Sequence, residues 1–506
     1  MRAILVSHRW LGVIVGAIMT LWCLSGFVMM YSDYPRLTPQ EQVRGLAPLR
    51  LPDTRVWGRV PLAAEAELSS LRVEMMAGRP VLRIARADRP LLPRISARTQ
   101  ASPDNLDLVS GRVLAPVSAA QALRIGADFG RHLGVAGAPV AVVPTAIDQW
   151  NVQTYRRHKP MHRIDYPGGE TAYVAASGEV VQQTTRGERI LGWLGAVPHW
   201  LYPTLIRQDG ALWAQVVIWT SVAGCFLTAT GLWIGVARLR RGRDGKLGSP
   251  FRGLWWWHHM AGLFFGVLTL TWVASGLFTM NPWGFLDSDA GPAARERLAG
   301  PPVRWEVAAA ALAALPPLPA GTVRLEAIPL KGSLFLRTIA GDGTQMRFDA
   351  SGRRAPLERV DLTQALAGSA PLASLELLRE EDTYYYSHRD PVSLPVWRAI
   401  LDDPQKTRLY LDPHSGQLLR TTDATGRASR WLRNGLHSLD LPVLRTRPLR
   451  DLVVVPLLLL VTAVCFTGTW MGFKKIQRDL RRAFNRRRWH AAKPRRPYGA
   501  ASEPHL

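Results

Sequence analysis

Four histidines, His8, His258, His199 and His437, stand at repeated positions in this sequence. An imidazole nitrogen is an axial ligand of haem iron, and a low-spin electron carrier takes one imidazole from each face of the ring. His8 and His258 open corresponding apolar segments, while His199 and His437 precede the two others, so each pair has the composition of a bis-histidine site. The pattern predicts two haems, one towards each side of a membrane, placed to carry electrons across it. His259 adjoins His258 but points about 100° away on a helix, which makes it either an interfacial residue or a substitute ligand. A lone interfacial histidine is often only a polar group at headgroup depth, and duplication copies such residues as well.

The repeat behind these pairs is extensive. His8, Gly12, Gly16, Trp22, Ser25 and Gly26 recur as His258, Gly262, Gly266, Trp272, Ser275 and Gly276, at one constant offset of 250. Trp193, Leu194 and His199 return as Trp431, Leu432 and His437, and Gly231, Trp233 and Gly235 as Gly468, Trp470 and Gly472. The unit is helix, exterior domain, helix, used twice. Gly12-x-x-x-Gly16 and its copy predict close helix packing, and small residues also let a flat porphyrin approach the backbone.

The elements that position the histidines follow from hydropathy. Of 506 residues 47% are hydrophobic and only 20% charged, so the chain is neither disordered nor wholly immersed in lipid. Trp10–Tyr31, Leu212–Val236, Met260–Met280 and Leu452–Phe473 are apolar runs able to cross a hydrocarbon core of about 30 Å. The first lacks a small-x-small cleavage site and reads as an uncleaved anchor. Many of the 19 tryptophans, Trp255 to Trp257 among them, adjoin these runs, where amphipathic rings settle at the interface. Net charge is +24, and it is localised: Arg238–Arg252 and Lys474–Arg496 are rich in Lys and Arg, which places both in the cytoplasm with the N-terminus. The charge is thus topological, and no nucleic-acid motif appears. The resulting order is a cytoplasmic N-terminus and first helix (1–32), an exterior region (33–210), a second helix (211–237), a basic loop (238–256) and a third helix (257–281). A second exterior region (282–450), a fourth helix (451–473) and a basic tail (474–506) follow.

The exterior regions carry strand and turn signals. Leu71–Met75 and Val81–Ala85 flank Gly78, Arg79 and Pro80 as a hairpin, and Leu409–Leu411 runs into the turn Asp412–Gly416. Ser118–Phe129 and Leu362–Ala367 have helical spacing, so each region reads as a small antiparallel sheet with a helix on it, an α+β domain. Gly300–Gly321 reads as a connector around an alanine-rich helix. His158, His162 and His388, set among Arg and Tyr, either sit in solvated loops or meet an anionic iron chelate through charge-assisted bonds. Cys23, Cys225 and Cys465 all lie in apolar runs, leaving no CxxC site for zinc or an iron–sulfur cluster. Asp402, Asp403 and Asp412 face no nucleophile or base, and no hydrolase, phosphate-loop, flavin or nicotinamide motif is present.

Three segments together resemble the PepSY-associated transmembrane proteins of bacterial inner membranes, and the resemblance covers nearly the whole chain. They are His8-Arg9-Trp10-Leu11-Gly12, Tyr410-Leu411-Asp412-Pro413-His414-Ser415-Gly416, and Trp431-Leu432-Arg433-Asn434-Gly435-Leu436-His437-Ser438-Leu439. The resemblance implies two exterior PepSY-like domains on four membrane helices. It also implies an electron-transfer protein with two b-type haems that reduces a ferric siderophore or another periplasmic acceptor; the sequence does not name the donor, for which a quinol and a soluble reductase are the candidates. Two other readings stay open: a haem-bearing membrane subunit of another oxidoreductase, and a non-catalytic PepSY module that binds periplasmic proteins or peptides.

Overall fold

The computed structural model describes residues 2–87, 104–242, 245–368, 370–387 and 392–491. Four helices among them are long and apolar enough to span a bilayer: Arg2–Met29, Gly210–Ala237, Leu254–Thr279 and the Leu449–Arg482 part of Leu449–Ala491. They mark a membrane protein and are called the first to fourth long helices below. The first and third begin about two turns before the apolar runs do, because Ala, Ile, Leu and Val among residues 2–9 and Leu and Trp among 254–257 continue the helix, with Arg and Trp tips able to reach the interface. His8 and His258 are consequently inside helices rather than at their mouths.

The chain forms two compact units, one holding most of the four long helices and the other the residues Val28–Gln215 and Phe278–Thr446. In the helical unit the glycines mark where neighbours approach. A Cβ on Gly16 would stand 2.7 Å from Thr469 Oγ1 and one on Gly472 2.8 Å from Val13, which joins the first and fourth helices. Gly266 meets Leu232 at 2.6 Å and Gly235 meets Leu263 at 2.9 Å, which joins the second and third in the corresponding way. Small residues are what permit such approach in lipid, where packing rather than the hydrophobic effect holds helices together.

In the second unit each half of the chain builds a four-stranded antiparallel sheet. Ala141–Thr145, Met161–Asp165, Thr171–Ala175 and Val180–Thr184 form one, with helix Ala119–Leu133 upon it. Ser118 and Gln121 close a capping box at the start of that helix, which fixes where it begins. Leu372–Leu378, Val396–Leu401, Arg408–Leu411 and Leu418–Thr422 form the other, with helix Arg359–Leu366. The expected hairpin is Glu67–Met76 with Arg79–Arg86, but its turn falls on Ala77 and Gly78, both at positive φ, rather than on Gly78, Arg79 and Pro80, and Arg79 and Pro80 pair within the second strand.

The two halves also share a sheet that the local sequence patterns do not reveal. Glu67–Met76 from the first half pairs antiparallel with Thr322–Leu330 from the second, in register Arg72 to Glu326, Val73 to Leu325 and Glu74 to Arg324. One face is apolar: Val73, Leu82, Ile84, Leu325 and Leu336 pack under the helix Trp305–Ala313. Its alanines, Ala308 and Ala311, let that helix lie close. The alternate positions carry charge. Glu74 Oε1 accepts from Arg83 Nε at 2.6 Å and Oε2 from Arg324 Nε at 3.2 Å, all three side chains being buried. Arg83 donates further to Asn105 and to the Ser177 carbonyl, and Arg72 pairs with Glu179, so a turn of the first small sheet covers this face.

Burial alone would raise the Glu74 carboxyl, but Arg83, Arg72 and Arg324 outweigh it and hold it at about 2. The carboxylate therefore stabilises the fold fully above the unfolded-state value of about 4.3, and that contribution fades as pH falls towards 2. Glu74→Gln, which removes the carboxylate shared by Arg83, Arg72 and Arg324, is expected to cost about 3–5 kcal/mol. Hydrogen exchange on the full-length protein checks this. Protection should drop along Thr322–Leu330 and Glu67–Met76, and unchanged protection there would contradict the role given to Glu74.

Candidate functional site

His8 packs from the first long helix onto the second. A Cβ on Gly231 would lie 2.7 Å from His8 Cε1, so only glycine admits the ring. His8 Nδ1 stands 3.1 Å from the Leu227 carbonyl and 3.4 Å from Thr230 Oγ1. A carbonyl only accepts, so Nδ1 carries the proton and Nε2 keeps its lone pair.

His258 repeats this arrangement between the third and fourth helices. A Cβ on Gly468 would lie 2.7 Å from His258 Cε1, and Nδ1 stands 3.2 Å from Thr467 Oγ1. Thr467 spends its own proton on the Ala463 carbonyl at 2.6 Å and is left to accept, which again puts the proton on Nδ1. Each histidine thus has one nitrogen fixed by its neighbour and the other available as a ligand, the outer hydrogen bond that orients a metal-bound imidazole.

His259 differs. Its Nε2 donates to the Gly235 carbonyl at 2.8 Å, and its Nδ1 meets Ser249 Oγ at 2.8 Å. Both nitrogens are engaged in holding the 238–256 loop and the second helix, so His259 acts as a structural residue here and His258 is the candidate ligand.

The glycine pairs split in function. Gly16 and Gly266 are the tight contacts described above, whereas a Cβ on Gly12 or Gly262 would meet nothing within 4 Å. Gly12 and Gly262 lie one turn beyond His8 and His258, on the same helix face. That face is turned away from the exposed stripe of Val6, Trp10 and Ile14 on the first helix. Bare helix beside an available imidazole nitrogen, present twice, fits a flat macrocycle.

His199 and His437 come together in the second unit, from opposite halves of the chain. Their ring centroids are 6.0 Å apart with planes at 59°. Two metal–nitrogen bonds of about 2 Å each, with the half-widths of two imidazoles, span about that distance. His199 ends the short helix Ala196–His199, which follows Gly195, tight against Val28 at 2.9 Å from a built Cβ. Tyr202 and Trp213 hold the segment after it, Trp213 Nε1 donating to the Trp200 carbonyl at 2.9 Å and Gln149 Nε2 to that of Tyr202 at 2.9 Å. His437 follows a π-helical turn, Arg430–Gly435, an insertion common at functional sites. The loop beyond is closed by Asp440, fully buried, with Arg445 Nε at 3.3 Å and Arg430 Nη2 bonded to its carbonyl at 2.6 Å.

The remaining candidates do not join these pairs. His158 ends a short helix, where burial lowers its pKa, Glu179 opposes and Arg157 adds to the lowering; His162, on strand Met161–Asp165, is lowered by burial. His388 lies outside the described residues. Asp403 caps a turn through Thr407, and Asp412 accepts from His414 N, Ser415 N and Ser415 Oγ in the turn expected there, so both are structural. Among the described residues no three His, Cys, Asp or Glu side chains gather as a metal centre. Sequence reasoning missed Thr230 and Thr467; the Thr-Gly dipeptide in both copies was the available signal. No family model and no curated protein matches the chain.

The seating of the two rings is testable without any cofactor. Gly231→Val or Gly468→Val should evict the adjacent imidazole, while Gly262→Val, facing open space, should leave the seating of His258 on the fourth helix intact. Nitrogen-15 spectra of histidine-labelled protein should show the Nδ1–H form of His8 and His258 in the wild type and its loss in the matching variant. Spectra unchanged by Gly231→Val and Gly468→Val would contradict the geometry.

Proposed function

We propose that this chain is a haem-b electron-transfer protein of a bacterial inner membrane, of the PepSY-associated transmembrane kind, which reduces a periplasmic ferric siderophore. The observation that carries the reading is the repeated placement of histidines: His199 meets His437, and His8 and His258 each lie on a Thr-Gly seat that engages Nδ1 and leaves Nε2 as the candidate ligand nitrogen. Haem iron bound by such pairs supplies one-electron chemistry. His8 and His258 would hold one group and His199 and His437 the other.

The protein's own residues do the positioning. Leu227, Thr230 and Thr467 fix the tautomers of the first pair, while Gly12 and Gly262 keep the adjoining space clear. The aromatic cluster about Tyr202 and the Arg430–Asp440–Arg445 cage hold the second pair from either half. A ferric ion takes one electron to become ferrous, and the softer Fe(II) binds hard siderophore oxygens less tightly, so reduction releases the metal. The electron comes from a quinol or a soluble reductase on the opposite side. The positive-inside pattern of Arg238–Arg252 and the tail favours that direction.

Purified protein reduced with dithionite and mixed anaerobically with ferric hydroxamate or catecholate chelates should reoxidise while a ferrous trap colours in step. His199→Ala and His437→Ala should slow this reoxidation by roughly tenfold or more, equivalent to about 1.4 kcal/mol of barrier. Reduced protein untouched by a panel of ferric chelates, yet oxidised by another acceptor, would overturn the substrate and favour a membrane subunit of a different oxidoreductase.

A further inference from the structure

Within the helical unit, at the end of the bundle where the first long helix begins, the third and fourth long helices flank an open groove of about 480 Å³. Trp255 lines it from one side, and Trp470, Lys474, Arg478 and Arg481 from the other. The last four share one helix face, at spacings of four and three residues. The lining has three cations and no carboxylate. The nearest acid along the helix, Asp479, is committed elsewhere, to Lys475 at 2.7 Å and Arg9 at 3.7 Å. Lys474 Nζ lies over the Trp470 ring at 4.8 Å, and Arg478 Nε reaches the Lys474 carbonyl at 3.3 Å. Like charges one turn apart repel, so the stripe is destabilising until an anion sits against it.

Beyond the groove the same face of the fourth helix turns apolar. Phe466, one turn deeper, stacks on Trp470 with centroids 6.4 Å apart, and Phe466 and Leu254 are both exposed. Tryptophan settles at the depth of the lipid headgroups, which puts the cations at phosphate level and the phenylalanine among the acyl chains. A free phosphate would use only half of this surface. We infer that the groove seats one anionic phospholipid, its phosphate against Lys474, Arg478 and Arg481 and its chains along Trp470 and Phe466. Basic pockets between membrane helices bind such headgroups through the same combination of charge and depth. The inference requires only that the four helices lie in a bilayer and is independent of any haem.

Native mass spectrometry of the full-length protein tests it. Protein in phosphatidylcholine–detergent micelles is titrated with cardiolipin, with phosphatidylglycerol, or with inorganic phosphate. K474Q/R478Q/R481Q is compared with R240Q/R241Q/R252Q, which removes equal charge from the loop; all six side chains are exposed, so neither variant disturbs the core. The groove variant should lose anionic-lipid affinity by roughly a hundredfold, the loop variant should behave as wild type, and phosphate should not bind. Equal losses in both variants, no loss in either, or phosphate binding as tight as lipid binding would each overturn the proposal.

Discussion

An imidazole laid on a glycine of the adjacent helix is the contact on which the helical unit is organised. His8 on Gly231 and His258 on Gly468 use the same geometry, 2.7 Å from a built Cβ to Cε1 in both cases. Any side chain in place of the glycine would push the ring away. In a bilayer a polar ring also needs an internal partner for its N–H, since no water is present to supply one. The Leu227 carbonyl and Thr467 Oγ1 provide it, and in doing so decide which nitrogen is left over. Packing, hydrogen bonding and ligand chemistry are thus set by one contact in each half.

The second pair depends on a different constraint, the sheet common to both halves of the second unit. His199 and His437 lie far apart in the chain, and nothing local brings them together. The pairing of Glu67–Met76 with Thr322–Leu330, tied by Glu74 between Arg83 and Arg324, makes one body of the two regions. The halves then hold their histidines by unlike means. The first uses rings, Tyr34, Trp150, Trp200 and Tyr202, and the second a buried aspartate between two arginines. Only the placement of the imidazole is kept.

What the sequence discloses is what has a local signal. The four long helices, the pairing of Glu67–Met76 with Arg79–Arg86, and the helix capped by Ser118 each follow from composition or a cap within a few residues, although the hairpin's turn lies on Ala77 and Gly78 rather than on Gly78, Arg79 and Pro80. The four paired histidines are legible because they recur at matching positions. The shared sheet is not, because antiparallel pairing between distant strands leaves no mark in either strand alone. Choosing between His258 and His259 likewise needs three dimensions: adjacent in sequence, they part only when Ser249 and the Gly235 carbonyl take both nitrogens of one. The two kinds of glycine in Gly12-x-x-x-Gly16 separate for the same reason, as spacing cannot say which one has a neighbour.

The central claim is that these histidines bind haem as bis-imidazole pairs, and the absorbance of the purified protein tests it most directly. Membranes from cells supplied with haem precursors should yield protein with a Soret band and reduced low-spin b-type bands, at about two haems per chain by pyridine haemochrome assay. His8→Ala or His258→Ala should remove about half of that haem or turn the site five-coordinate, and His259→Ala should not. A purified protein without a Soret band, or spectra unaltered by replacing any of the four paired histidines, would contradict the account.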